Sequence, residues 1–433
     1  MSWPEKLAIG LFGLVIPFSL AWATHNSKPG RSLEYQEFLT PAPMTVWILI
    51  LILAVFFRFY KLTTLSVWPC YDEGFLNYYA FELSQKWDWR MFYGSSQAPP
   101  AYMWIQSFFY KWWGPSLQTL WFLPALASIL TLPLGYSAAR QYFSKSFSFL
   151  LLLFMIGSFW PLYLGRFSLM TSLIPFWECL ILWLLGIFLK APPSHQMPWT
   201  VFLGLLVGMG FYIHISWIPI AAIIGLALLV FEWNKKRTLN LFYFFVLAVG
   251  LVMAPLIHAA LKQNFGLYLK NIWAFSKNDP INIFDQFQVS LGYYSCLLWG
   301  LKDSFRAYEP IWGGFFNPLL GSFFLLGLLI IFKNKPAPLK TWLCLALVVF
   351  ILPESLTKSL EPFRVIPVMI VFFIVIVYGL KELLTFIPKG KRWPVVACIF
   401  VISWGLDFYH LIGPYQNVWK TPELWKILLS QSF

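Results

Sequence analysis

The chain has 433 residues, of which 59% are hydrophobic and only 11% charged. Soluble domains carry roughly 25% charged residues, so this composition excludes an ordinary soluble protein and points to a polytopic membrane protein. A net charge of +13 would suit nucleic acid, but the basic residues sit in short loops between apolar runs, where they set membrane topology, so no nucleic-acid partner is expected.

In chain order, apolar runs at 7–23, 44–60, 118–136, 147–163, 172–189, 199–213, 217–232, 239–259, 317–332, 341–353, 365–380 and 393–409 predict an all-α bundle of about twelve transmembrane helices. The first run lacks a small-x-small cleavage site and reads as a retained helix. If the spans alternate, one side receives loops 24–43, 137–146, 190–198, 234–238, 333–340 and 381–392. Together these hold fifteen Lys and Arg against three acids, Glu34, Glu37 and Glu382, which makes that side cytoplasmic. The clusters "NKKR" and "KGKR" fall there and read as topology anchors. The opposite side receives two long loops, 61–117 and 261–316, and most of the acids.

The first long loop opens with "SVWPCYDEGFLNYYAFELSQKWDWR", in which Asp72 and Glu73 follow an apolar span by about a dozen residues. Two acids beside lipid are costly unless water, a cation or a substrate compensates them. Such a pair can bind a cation, relay protons or act as a general base; the structural alternative is a solvated pair in the first turn of a helix. Two aromatic-rich amphipathic stretches, 74–87 and 99–113, predict helices in the interface plane, holding the acids just outside the hydrocarbon. Basic residues recur at the same span ends: Arg58, Lys61, Arg166 and Arg364. For Lys61 a snorkelling anchor is the stronger reading. Arg166 and Arg364 sit in short turns with few acids nearby, and guanidinium groups at a lipid interface suit bidentate phosphate binding.

The remaining polar positions carry competing readings. Arg90 belongs to a local charge cluster with Lys86 and Asp88, or reaches a phosphate. His214, at a span end, contacts a sugar or phosphate, or is an interfacial histidine without a role. Tyr78, on the aromatic face of the first amphipathic helix, is a further substrate-binding candidate. Glu178 lies within a span and reads as paired inside the bundle. Gly204 and Gly208, at i and i+4, suit close helix packing. The five cysteines show no metal spacing; a Cys70–Cys296 disulfide stays open. No glycine-rich phosphate loop is present, so a soluble nucleotide sugar is not indicated as the direct donor.

Six stretches occur in an order that resembles the GT-C superfamily of membrane glycosyltransferases, in its protein O-mannosyltransferase and lipid A aminoarabinose transferase branch. They are "LAVFFRFYKLTTLSVWPCYDEGFLNYYAFEL", "YKWWGPSLQTLWFLPALASILTLPLGYSAARQYF", "YLGRFSLMTSLIPFWECLILWLL", "GLLVGMGFYIHISWIPI", "NPLLGSFFLLGLLIIFK" and "PFRVIPVMIVFFIVIVYGLKEL". The resemblance spans roughly 44–385. It implies transfer of a monosaccharide from a polyprenyl-phosphate donor to an acceptor hydroxyl of a protein, lipid or glycan outside the cytoplasm, with inversion. It implies Asp72 as general base, Glu73 orienting the acceptor or a divalent cation, and Arg166 and Arg364 holding the donor phosphate. It also implies a bacterial inner-membrane location, and one catalytic domain over 44–433 preceded by an extra helix and cytoplasmic loop over 1–43. The sequence departs from the family at Phe122 and Leu123, where an Arg is often found, and at Thr171 and Trp217, where some members carry an acid and an Arg respectively. A transporter or lipid-linked-sugar flippase is the alternative; it calls for polar groups deep in the spans, broken helices and an inverted repeat.

Overall fold

The computed structural model describes residues 37–63 apart from 41, then 71–94, 98–214, 236–262, 315–334 and 369–412, with a few isolated positions between 217 and 288. The expected spans at 7–23 and 341–353, most of 217–232, most of the loop 261–316, Arg364, Cys70 and Cys296 lie outside the described residues.

The described chain is helical, with α1 (Met44–Phe59), α2 (Tyr71–Gln85), α3 (Ala101–Trp113), α4 (Leu117–Ala139), α5 (Lys145–Gly157), α6 (Phe159–Leu164), α7 (Ile174–Lys190), α8 (Gln196–Gly210), α9 (Lys236–Lys262), α10 (Pro318–Asn334), α11 (Met369–Thr385) and α12 (Arg392–Ile412). Among the described residues there is no named strand, only an isolated bridge between Tyr93 and Ala98. Among the described residues, four helical stretches are long and apolar enough to cross a membrane: Leu117–Ala139, Met170–Lys190, Leu239–Lys262 and Lys389–Leu411. Shorter apolar helices are Met44–Phe59, Lys145–Gly157 and Pro318–Lys333.

Local chemistry sets the helix ends. Ser116 caps α4 by accepting the Thr119 N–H at 3.1 Å, and Ser144 caps α5 by accepting the Phe147 N–H at 3.2 Å. Gly114, at φ 72°, ends α3 in a conformation that favours glycine, and its N–H returns to the Tyr110 carbonyl at 2.9 Å. Before α5, the Glu37 carboxylate accepts the N–H groups of Lys145 and Ser146, each at 2.9 Å. Arg392 donates to the Phe38 carbonyl at 2.7 Å, so residues 37–40 strap α5 to α12.

The apolar run 147–163 is not one continuous span. It breaks at Ser158, whose ψ of 153° is extended, and splits into α5 and α6. A break inside a bundle exposes carbonyls on one side and amides on the other. Arg58 donates to the carbonyls of Met155 and Ile156, both at 3.0 Å, while Asp407 accepts the Phe159 N–H at 3.1 Å. A guanidinium thus meets the carbonyl end and a carboxyl oxygen the amide end, so both sets of exposed backbone groups find partners.

Where α8 meets α9, a side chain at Gly204 would lie 2.8 Å from the Phe245 carbonyl oxygen, and one at Gly208 2.8 Å from Val252, so both glycines serve close packing as expected. Glu178 corrects another expectation. It is buried in α7, and among the described residues neither carboxylate oxygen meets a hydrogen-bond donor, because α7 packs against α4 and α8 largely through apolar side chains.

Candidate functional site

The two expected interfacial helices, α2 and α3, pack against each other between the end of α1 and the start of α4. Asp72 and Glu73 fall in the first turn of α2, where carboxylates complement the helix dipole. Their environments differ completely: Asp72 is exposed, whereas Glu73 is 1% exposed. Glu73 Oε1 accepts the indole N–H of Trp121 at 3.0 Å and the backbone N–H of Ser168 at 2.6 Å. Ser168 is itself held: the Asn77 amide donates to its hydroxyl at 2.7 Å, and the Tyr102 hydroxyl bonds to the same oxygen. The Tyr110 hydroxyl donates to the Asn77 side-chain oxygen at 2.6 Å, and the Asn77 amide also donates to the Glu73 carbonyl at 2.7 Å. Burial pushes both tyrosine hydroxyls well up from their usual range, so they remain neutral donors.

Arg166 lies two residues before Ser168 and is 2% exposed. Its guanidinium donates to four carbonyls at the end of α1: Phe57 at 2.9 Å, Arg58 at 3.2 Å, Tyr60 at 3.0 Å and Lys61 at 3.3 Å. Burial pulls its pKa down to about 10, leaving it charged at neutral pH. The turn 165–169 therefore grips α1 through Arg166 and α2 through Ser168. Arg58 is also buried, with its Nε donating to the Ser128 hydroxyl at 2.8 Å. Beyond Tyr60 the chain turns through Lys61 at φ 47°, the one non-glycine residue with positive φ among those described. The Lys61 side chain is exposed, its ammonium 5.6 Å from the centre of the Tyr60 ring.

Of the expected substrate contacts, the fold brings Glu73 and Arg166 onto opposite sides of one short turn. Arg90 lies elsewhere on the α2–α3 layer, bound by Asp88 and by Glu82 at 3.4 Å, with Tyr93 beneath it. Those carboxylates outweigh its slight burial and raise its pKa. Of the expected local cluster, Arg90 and Asp88 pair and Glu82 joins them, while Lys86 makes no ion pair among the described residues. Tyr78 is 45% exposed and stands edge-on to Tyr79. His214 is buried beyond α8, close to the start of α3, where the Ala101 N–H donates to the Tyr212 carbonyl at 2.9 Å. Trp217, one of the departures from the family pattern, is fully buried and donates to the Val207 carbonyl at 2.8 Å. Among the described residues no group of three His, Cys, Asp or Glu comes together in a metal-holding arrangement.

The partners of Glu73 were not visible as a motif. Asn77, Tyr102, Tyr110, Trp121 and Ser168 read individually as ordinary helix or turn residues. Only Asn77, four residues after Glu73 on the same helix face, carried a spacing signal.

Residues 97–258 match the family described as dolichyl-phosphate-mannose-protein mannosyltransferase, a segment that begins after the Asp72–Glu73 pair. No curated protein matches the sequence. The crystal structure of ArnT from Cupriavidus metallidurans bound to undecaprenyl phosphate shares the architecture at TM-score 0.60 and 14% identity, over 87% of this chain and 77% of that one. Its apo state matches at TM-score 0.60 and 13% identity, over 87% and 78% of the two chains. An archaeal oligosaccharyltransferase, AglB from Archaeoglobus fulgidus in complex with an inhibitory peptide and a dolichol-phosphate, lies further away at TM-score 0.48 and 14% identity, over 89% and 57%, too distant to argue from. With the matched segment and the ArnT architecture together, the resemblance read from the six stretches stands, and the chain has the GT-C fold of membrane glycosyltransferases.

Proposed function

We propose that the chain is a glycosyltransferase that takes a sugar from a polyprenyl-phosphate carrier and passes it to an acceptor hydroxyl at the membrane surface away from the cytoplasm. The observation that carries this reading is the division within the acid pair: an exposed Asp72 beside a fully buried, hydrogen-bonded Glu73, at the end of a GT-C bundle. Asp72 acts as general base. It accepts the proton of the acceptor hydroxyl as that oxygen bonds to the anomeric carbon, while the carbon–oxygen bond to the carrier phosphate breaks and its electron pair leaves on the phosphate. Attack opposite the leaving group inverts the anomeric centre. A phosphate leaving group needs charge stabilisation rather than a strong acid.

Cations for that phosphate are Arg364, by the family order, and the exposed Lys61. Arg166, with its guanidinium spread over four helix-end carbonyls, moves to a supporting role. Arg90, Tyr78 and His214 remain candidate contacts to sugar or acceptor, and a divalent cation at Asp72 remains open. The ArnT relative bound to undecaprenyl phosphate supports a lipid-linked donor, and the mannosyltransferase match a hexose or related sugar. Transport draws support from two observations, the buried Glu178 within α7 and the broken helix at Ser158; Arg58 and Asp407 occupy both ends of that break, which suits a fixed kink better than an ion path.

The test is loss of label from radiolabelled polyprenyl-phosphate hexoses and pentoses by purified protein in liposomes. Wild type is expected to consume one of them, and Asp72→Asn to bind the lipid yet lose at least about a hundredfold in rate. Equal consumption by Asp72→Asn would overturn the base assignment. Label carried across the bilayer with no transfer would favour the transporter.

A further inference from the structure

Adjacent residues on a helix project about 100° apart, so fixing one side chain fixes the direction of the next. In α2 the fixed member is Glu73. Its Oε1 takes two N–H donors, from Trp121 on α4 and from Ser168 on the turn after α6. Asn77, one helical turn further along α2, bonds to the Ser168 hydroxyl and takes the Tyr110 hydroxyl, and Tyr102 closes the set on Ser168. Each of these side chains is 5% exposed or less. They come from α2, α3, α4 and the 165–169 turn, four pieces that approach only in the folded bundle.

Resting on the reading of Asp72 as base, we infer that Glu73 is a positioning residue rather than a second catalytic acid. Its oxygen pins the first turn of α2 to α4 and to Ser168, which turns Asp72 outward, and the Asn77–Tyr110–Tyr102–Ser168 chain holds that pin from behind. Both donors described on Oε1 are neutral N–H groups, and what these two bonds require is an acceptor oxygen at that depth rather than a negative charge. A carboxylate that handled acceptor or cation directly would need an oxygen open to the chamber, and Glu73 is 1% exposed.

Two substitutions separate geometry from charge. Glu73→Gln keeps an acceptor oxygen at the same reach and removes the charge; Glu73→Asp keeps the charge and withdraws the oxygen by one methylene. In the liposome assay, Glu73→Gln is expected to lose about threefold in kcat with the pH profile of wild type. Glu73→Asp is expected to lose about a hundredfold in kcat, with KM for the lipid donor unchanged, as misplacement of the base would cause. Tyr110→Phe, which removes the hydroxyl behind Asn77, is expected to lower kcat about fivefold, again without change in KM. A Glu73→Gln variant no better than Glu73→Asp, or one whose pH profile moves, would overturn the inference, because charge would then be what matters. The Asp72→Asn control keeps the two readings apart. Full activity in Asp72→Asn removes the base, whereas the order of the Glu73 variants in kcat and in thermal melting still decides whether Glu73 is an anchor.

Discussion

At the residue scale, buried charges at this end of the bundle are spent on backbone. Arg166 covers four carbonyls at the end of α1, and its removal takes its donors from all four, two of which, those of Phe57 and Arg58, belong to buried residues. Arg166→Met is therefore expected to cost about 3 kcal/mol or more, read as a fall in melting temperature of the detergent-purified protein, with Arg166→Lys recovering only part because one ammonium cannot span the fork. Unchanged melting in Arg166→Met would mean that the carbonyls find other partners. Lys61 makes the opposite case. Its φ of 47° suits glycine, and a non-glycine residue there costs about 1 kcal/mol. Lys61→Gly is expected to melt higher and, if the ammonium meets the donor phosphate, to raise KM for the lipid about tenfold. Higher melting with unchanged KM would return Lys61 to the role of an interfacial anchor.

At the element scale, helix contacts depend on whether backbones can approach. Between α10 and α11, a side chain on Gly379 would lie 2.1 Å from the Phe323 carbonyl oxygen, and one on Gly327 2.0 Å from that of Val375. Backbone on both sides cannot swing away, so Gly379→Ala is expected to destabilise by about 1–3 kcal/mol, measured as reduced melting temperature; no loss would mean that the helices slide apart at little cost. These glycines lie inside stretches that read only as apolar spans. The same limit applied at Ser158, where the sequence reads as one span and the chain breaks into two helices. Gly157, Ser158 and Pro161 in "FMIGSFWPLYLG" are local break signals, since Pro161 has no N–H for the Gly157 carbonyl, but they lie inside an otherwise apolar run; Arg58 and Asp407, respectively about a hundred residues before the break and two hundred and fifty after it, make it tolerable. By contrast α2 and α3 were legible, because the acid turn, the proline start and the aromatic periodicity are all local.

At the scale of the whole molecule, the charge bias predicts which end of the bundle faces the cytoplasm. Single cysteines introduced at Gln85 and at Lys389, with the native cysteines replaced, are expected to react with a membrane-impermeant maleimide from opposite sides, Lys389→Cys from the cytoplasmic one. Labelling of both from one side would overturn the topology. The strap at 37–40 adds a pH dependence at the Lys389 end. Burial alone would raise the Glu37 pKa, but bonds from the Ser146 hydroxyl and the Ser146 and Lys145 amides, with the charge of Arg140, hold it below its ordinary 4.5. A carboxylate depressed in the fold contributes stability that is complete above the unfolded value and is lost as pH falls through the folded one. Melting of wild type is thus expected to decline as pH drops below 4.5, and Glu37→Gln to show a shallower decline. Identical acid limbs would place the pH response elsewhere.

The sequence by itself determined the class of protein, most of the helices the structure describes, the expected sidedness and the acid pair, because apolar length, interfacial aromatics, loop charge and adjacent carboxylates are local properties of a chain in lipid. Only the tertiary structure decided what each charged side chain does. Glu73 and Asp72 are neighbours in sequence and equal in kind, yet one is buried on Trp121 and Ser168 and the other exposed, a difference set by segments 48 and 95 residues away. Arg166 looked like a phosphate ligand for want of a nearby acid, and its partners proved to be backbone carbonyls at the end of another helix, a kind of partner that every residue offers and no motif marks.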